Sequence, residues 1–196
     1  KLCSVINDPV TTTDELIPSG ETSSFRSNPL RLAEFALSRK DPLYVGASKC
    51  VRDGDNADIK SVLSDLNFDF NDTTISSCIF AVKPGDGSAR EQAASCQRFL
   101  GGGANIAREY ATKRYRSNLI NWGMLPLIDC KTEYKKGDIV VIENIRDTLL
   151  QGKSEFNAYL VRGGKKESIV LKIGALTDSE KQIILDGCLI NYYKRG

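Results

Sequence analysis

The residues most able to do chemistry lie in Pro84-Gly85-Asp86-Gly87-Ser88-Ala89-Arg90-Glu91. An apolar run, Cys78 to Val82, precedes them, and a helical pattern, Arg90 to Leu100, follows. A strand, a glycine turn and a helix start with Ser and Arg at the tip can form an oxyanion or carboxylate site. Glycines allow close backbone approach to a ligand because they carry no Cβ. The first free N–H groups of a helix favour negative charge at the same spot. Ser88 would sit where those donors converge, and Arg90 could fork onto a carboxylate. Taken alone, such a loop is more often plain turn chemistry. It is not G-x-G-x-x-G, because Arg90 stands at the last Gly, and it lacks the Lys of a P-loop.

The chain contains no histidine. That excludes a Ser-His-Asp triad, a Cys-His pair and His-based zinc sites built within it. A base here must be activated by backbone donors, by Arg or Lys, or by groups from another domain. The six cysteines, at 3, 50, 78, 96, 130 and 188, form no C-x-x-C pair and several fall in apolar runs. They read as free thiols of a reducing, cytoplasmic compartment.

These residues need a scaffold. A length of 196 residues fits one ordinary domain able to bury a core without disulfides or metals. Hydrophobic residues at 41% and charged ones at 27% are typical of globular proteins. No apolar run approaches the roughly 20 residues of a membrane-spanning helix. A net charge of +2 gives no strong pull toward nucleic acid or anionic lipid. The start at Lys1 is read as that of a fragment or a processed chain, and no signal peptide is visible.

Residues 1–29 read as loop-rich entry, given their polar and Pro/Gly density. Pro29 to Arg39 fits a helix with Pro at its first position. Residues 43–72 are ambiguous, with Asp55 to Leu66 a candidate helix. Strands are expected at 76–83, Ala104–Ala107, Met124–Ile128 and Asp138–Val141. Helices are expected at Arg90–Leu100, closed by Gly101-Gly102-Gly103, and at Glu109–Trp122, closed by Gly123. Phe156–Arg162 and Glu167–Ile173 flank Gly163-Gly164 as a hairpin. Thr177 and Glu180 form a capping box for a closing helix to Tyr193. The order mixes βαβ units with a later antiparallel part, which implies an α/β or α+β fold of more than two layers.

Other candidates have plain alternatives. Arg26 is also a solvated loop arginine, and Asp14 an ordinary cap after threonines. Arg108, Lys113, Arg114 and Arg116, with Tyr110 and Tyr115, would share one helix. That run is a solvated face or, as the sharper rival, an RNA-binding patch. Trp122, the only tryptophan, reads as a packing residue.

Three ordered segments carry a resemblance. Thr12-Thr13-Asp14 with Ile17-Pro18-Ser19-Gly20 resembles the T-T-D-x-I-x-x-x-G stretch of aconitases. Gly85 to Glu91 resembles their G-x-G-S-S-R-E loop. Asn118-Leu119 with Gly123-Met124-Leu125-Pro126-Leu127 is similar to their N-L-x-x-x-G-L-L-P-L. The spacing of the last two also matches, and Asp186-Gly187 with Asn191 fits the family's C-terminal end. The resemblance covers nearly the whole chain.

It implies that residues 1–196 form the C-terminal swivel domain of the aconitase and isopropylmalate isomerase superfamily, a three-layer β/β/α unit. It further implies a fragment or small subunit of a larger hydro-lyase. A 4Fe–4S cluster would be bound by other domains or a large partner subunit, and a small carboxylic acid would be the substrate. Ser88 matches the family's catalytic base, and Arg90 and Arg26 match carboxylate-binding arginines. Asp14 matches a supporting active-site aspartate. Ala89 replaces the family's second serine, so only its backbone N–H could serve the substrate. Gln92 replaces a His, Pro84 an aromatic, and Thr112-Lys113-Arg114-Tyr115 an A-R-I-H run. A carboxylate-sensing or RNA-binding module without catalysis is the alternative on the same fold. Membrane and nucleic acid are not expected as partners.

Overall fold

The computed structural model describes residues 1–54 and 56–195. Along the first half run β1 (Leu2–Ile6), β2 (Thr11–Thr12), α1 (Thr13–Leu16), α2 (Pro29–Ala33), α3 (Tyr44–Asp53), α4 (Ala57–Asp65), β3 (Ser77–Ala81), β4 (Pro84–Asp86) and α5 (Arg90–Phe99). The second half holds β5 (Gly102–Ala107), α6 (Lys113–Asn121), β6 (Leu125–Ile128), β7 (Ile139–Ile142), α7 (Ile145–Leu150), β8 (Glu155–Arg162), β9 (Lys165–Lys172), α8 (Asp178–Asp186) and α9 (Leu189–Tyr193). None of the described helices is long and apolar enough to cross a membrane.

Strands β1, β3, β5 and β6 pair in parallel, and β9, β8 and β7 continue the order as antiparallel neighbours. Among the described residues, Ile128 opposite Lys172 is the one strand pair that joins the two halves. So thin a junction lets the antiparallel half fold across one face of the parallel half. Strand β3 shows the consequence, since all five of its residues are buried. Cys78 and Phe80 pack with Phe156, Leu160 and Leu171 of the antiparallel half. Ile79 and Ala81 point the other way, into a core shared with Leu32, Val51, Ala94, Tyr115 and Leu119 of the helices. Successive strand residues face opposite sides, so a strand covered on both faces must be apolar throughout. The layers are therefore antiparallel sheet, parallel sheet and helices, the β/β/α arrangement.

Several boundaries differ from the sequence expectation. The entry segment is not all loop, because Leu2–Ile6 pairs with β3. The helix from Pro29 stops at Ala33, and Leu37 takes a positive φ of 55° while its N–H reaches the Leu16 carbonyl at 2.9 Å. Asp55, the expected start of the next helix, lies outside the described residues, and that helix spans Ala57–Asp65. The segment before α6 is not helical, since the Arg108 and Glu109 N–H groups bond the Val82 carbonyl and the Ala111 N–H bonds that of Pro84. Gly101 caps α5 at a φ of 91°, but Gly102 and Gly103 already belong to β5. The closing helix breaks in two at Gly187, whose φ is 87°. The hairpin at Gly163-Gly164 and the Thr177 capping box stand as expected.

Beyond the carboxyl ends of β1 and β3 the chain forms a second ladder. Thr11 pairs with Pro84 and Thr12 with Asp86, joining β2 to β4 in parallel. The segment after β5 is tied to the same place through Val82 and Pro84. Three connections thus meet at one edge, where open parallel sheets bind ligands.

Candidate functional site

The loop that carries Ser88 is held by glycines and one tyrosine. Gly85 has a φ of 96°, and a Cβ there would lie 2.3 Å from the Tyr115 ring. Tyr115 is fully buried, and its hydroxyl accepts hydrogen bonds from the Gln97 and Asn105 amides, each at 3.0 Å. The Thr112 hydroxyl donates to the Gly85 carbonyl at 3.2 Å and caps α6 by accepting from the Tyr115 N–H at 3.1 Å. The strand–loop junction is therefore fixed on the start of α6.

Past this clamp, Gly87 takes a φ of 127° beside buried Thr13. Ser88 follows, exposed, with no hydrogen-bond partner for its hydroxyl among the described residues. Ala89 is the N-cap of α5 and supplies no capping oxygen. The first N–H groups of this ten-residue helix are left without a side-chain acceptor. A serine at that position could have satisfied one of them, so the alanine leaves the donors open to an external oxygen. Arg90 begins the helix and donates from Nη1 to the Gly87 carbonyl. That single bond leaves most of its donors uncommitted.

Asp14 reaches the same edge from the other side. Thr12 and Glu15 form a capping box around α1: the Thr12 hydroxyl accepts from the Glu15 N–H at 3.2 Å, and the Glu15 carboxylate accepts from the Thr12 N–H at 2.7 Å. Asp14 is thereby presented outward, where it pairs with Arg39, which also pairs with Glu21. Although burial alone would raise the Glu15 pKa, the Thr12 backbone donor and Lys40 at 3.0 Å bring it below the usual carboxylate value. The pairing of β2 with β4 places the Asp14 segment beside Gly87 and Ser88. Arg26 lies on the loop before α2 with Nη2 3.4 Å from the Ser19 carbonyl. No hydrogen bond or ion pair among the described residues joins it to Ser88 or Arg90.

The basic residues near α6 do not share one face. Arg108 stacks 4.9 Å over the Phe80 ring and donates to the Asp129 and Thr132 carbonyls at 2.6 and 2.7 Å. Arg116 donates to the Ile173 and Ala175 carbonyls at 3.2 and 2.8 Å. Tyr110 donates to backbone carbonyls of Asn105 and Leu127, and Tyr115 is core. Only Lys113 and Arg114 stay exposed, and they turn toward Ser88. A shallow groove of about 430 Å³ is walled by Ser88, Arg90 and Glu91 on one side and by Lys113, Arg114, Ser117 and Asn118 on the other. The Glu91 carboxylate accepts a hydrogen bond from the Trp122 indole at 3.1 Å, and Trp122 packs on Phe99.

Sequence reasoning treated Lys113 and Arg114 as part of a basic run and did not single out Arg39. The run hid the pair because Arg108 and Arg116 are consumed by carbonyls. Arg39 stands 25 residues from Asp14 with no motif to link them.

No group of three or more His, Cys, Asp or Glu side chains able to hold a metal occurs among the described residues. Cys3, Cys78 and Cys96 are buried. Burial raises the Cys3 thiol and pushes the Cys78 and Cys96 thiols up to about 12, so they are poor thiolate donors. The described side chains therefore bring together no set of donors for an iron–sulfur cluster.

Comparison with known proteins bears on this geometry. A family model, the aconitase C-terminal domain, matches residues 39–132. A homoaconitase small subunit of Methanocaldococcus jannaschii is 34% identical over 111 residues, which are 57% of this chain and 57% of that protein. A protein of Emericella nidulans named as a mitochondrial aconitate hydratase is 31% identical over 112 residues, 55% of this chain and 14% of its own length. The matched region thus spans little more than half of the first relative and a small part of the second. Among solved structures, a 3-isopropylmalate dehydratase from Methanocaldococcus jannaschii superposes with a TM-score of 0.62, covering 97% of this chain and 91% of that one at 23% identity. That likeness is one of fold.

Proposed function

Since residues 39–132 match the aconitase C-terminal-domain model and one curated relative is a homoaconitase small subunit, we propose that the chain is the swivel domain of a hydro-lyase acting on a hydroxy acid with two or three carboxylates. Residues 1–196 then form one unit of a larger enzyme, whose cluster-bearing domains or large subunit close over the groove. The observation that carries this reading is Ser88, exposed at the uncapped start of α5 with Arg90 on the same groove.

In this reading Ser88 removes the proton from the carbon next to a substrate carboxylate and later returns it. A serine hydroxyl is a weak base in water. It becomes competent where preorganised donors stabilise the alkoxide, as the free N–H groups of α5 can. Arg90 releases the Gly87 carbonyl and forks onto one carboxylate. Arg26 receives a second, carried there by the loop it stands on. Asp14, steadied by Arg39, keeps the edge beside Ser88 polar and fixed. Ala89 contributes its backbone N–H. Departure of the hydroxyl is not a step these residues perform. A 4Fe–4S cluster held by the other part of the enzyme would supply that chemistry, as a Lewis acid.

The test is hydratase turnover of this chain assembled with its cluster-bearing partner, on citrate, isocitrate and isopropylmalate. Ser88→Ala should lower kcat by about 10²–10⁴-fold with KM little changed. The chain alone should be inactive. Turnover that survives Ser88→Ala would remove the base assignment. Turnover by the isolated chain would remove the division of labour. An assembled, cluster-loaded enzyme that binds these acids without converting them would point to a carboxylate-sensing module.

A further inference from the structure

The groove beside Ser88 has a second wall that the proposed reaction does not use. We infer that Lys113 and Arg114 form an anion subsite reading the substituent the substrate projects toward α6, and that this substituent is a carboxylate rather than an alkyl branch. The inference rests on the function proposed above and deepens it, because it narrows the substrate class.

Four observations carry it. First, both cations share a groove with Ser88 and Arg90, so a molecule held by Arg90 is within their reach. Second, every residue lining the groove is polar or charged. An alkyl branch placed there would meet only the carbon stems of polar side chains in an open groove, and so gain only part of the roughly 0.8 kcal/mol per methylene that full burial supplies. Third, Lys113 and Arg114 have no ion pair or hydrogen bond among the described residues. Their neighbours in sequence, Arg108 and Arg116, are both engaged. The groove's own carboxylate, Glu91, bonds the Trp122 indole. Three cations, Arg90, Lys113 and Arg114, thus face one carboxylate, leaving an excess of positive charge for a ligand. Fourth, their backbone positions on α6 are held by their neighbours. Tyr115, the next residue, is fully buried and clamped by Gln97 and Asn105, and Thr112, the preceding one, bonds the Gly85 carbonyl. The α6 N-terminus itself is capped by Thr112, so the side chains rather than the helix end make the subsite.

The test is titration of the full chain with citrate and with isopropylmalate at matched ionic strength, read from the amide resonances of residues 88–92 and 113–118. Citrate should bind about five- to ten-fold more tightly, the gain expected of a charge-assisted contact at an exposed site. The double variant Lys113→Gln/Arg114→Gln should abolish that preference and leave isopropylmalate binding within about two-fold of wild type. Arg114→Lys should retain part of it. A control, Lys165→Gln/Lys166→Gln on the β8–β9 hairpin, removes the same charge elsewhere and should change nothing. Equal affinities in wild type, no binding of either acid, a preference that survives the double variant, or one lost in the control would each overturn the subsite. Its failure is separable from failure of the base. If the citrate preference holds while Ser88→Ala leaves turnover of the assembled enzyme intact, the base falls and the subsite stands.

Discussion

Gly87→Ala is the sharpest perturbation of the loop geometry. Two independent costs attach to it. A φ of 127° is a backbone region that L side chains rarely adopt, and forcing an alanine there costs about 1–2 kcal/mol. The added Cβ would also stand 2.3 Å from the Thr13 hydroxyl, and relieving such overpacking costs about 1–3 kcal/mol. The single variant should therefore lose about 2–5 kcal/mol. Thr13→Ala removes the obstructing hydroxyl but not the strain. In that background Gly87→Ala should cost only the first part, about 1–2 kcal/mol, and the difference is the coupling between the residues. The assay is urea unfolding followed by Trp122 fluorescence, with unchanged m-values as the condition for comparing stabilities. Trp122 suits it, being the sole tryptophan and packed 5.6 Å from Phe99 close to the groove. An identical cost of Gly87→Ala in both backgrounds would refute the placement of the Asp14 segment against the loop. A cost below about 0.5 kcal/mol in wild type, the scale of an ordinary surface change, would refute the loop conformation.

Asp129 yields a pH prediction. Burial alone would raise its pKa, but donors from Thr132, Tyr134 and the Lys131 backbone lower it below the ordinary aspartate value. A depressed folded-state pKa gives stability that is present above the unfolded value of about 3.9 and lost as pH falls toward the folded one. Acid titration of unfolding should therefore be shallower in Asp129→Asn than in wild type, and equal slopes would contradict it. Thiol accessibility yields another. Cys50 and Cys130, both exposed, should react quickly with a chromogenic disulfide, whereas buried Cys3, Cys78 and Cys96 should wait for unfolding. Fast labelling of all thiols in the native chain would contradict the packing.

What the sequence revealed depended on how local the cause was. The β8–β9 hairpin and the Thr177 capping box are set within a few residues, and both stand where pattern put them. The Thr12-x-x-Glu15 box has the same signature, but the polar and Pro/Gly-rich residues around it mask its four-residue helix. Strand β1 exists through pairing with β3, more than 70 residues away, which no local pattern reports. Leu37 is in an unusual backbone conformation because its N–H is drawn to the Leu16 carbonyl, and that turn precedes Arg39, the partner of Asp14. The placement of Ser88, Ala89 and Arg90 at a helix start was legible because the three are adjacent in one loop. The pairing of Lys113 and Arg114 with them was not, because it follows from the three-way meeting of segments after β1, β3 and β5.

That meeting point also bears on how little the chain should do alone. Ser88 is exposed and the groove beside it is shallow. In water an oxyanion at Ser88 competes with bulk solvent, and two unit charges about 4 Å apart gain only about 1 kcal/mol, against about 4 kcal/mol at the effective dielectric of a protein surface. The donors of α5 and the cations around the groove are thus in place before they are worth much. Their value rises when a second body covers the edge and removes the water. Arg90 resting on the Gly87 carbonyl fits such an open state, since it satisfies one donor locally while the rest stay available. On the proposed function the chain's contribution is a prearranged set of charges, and the covering part of the enzyme would decide when those charges count.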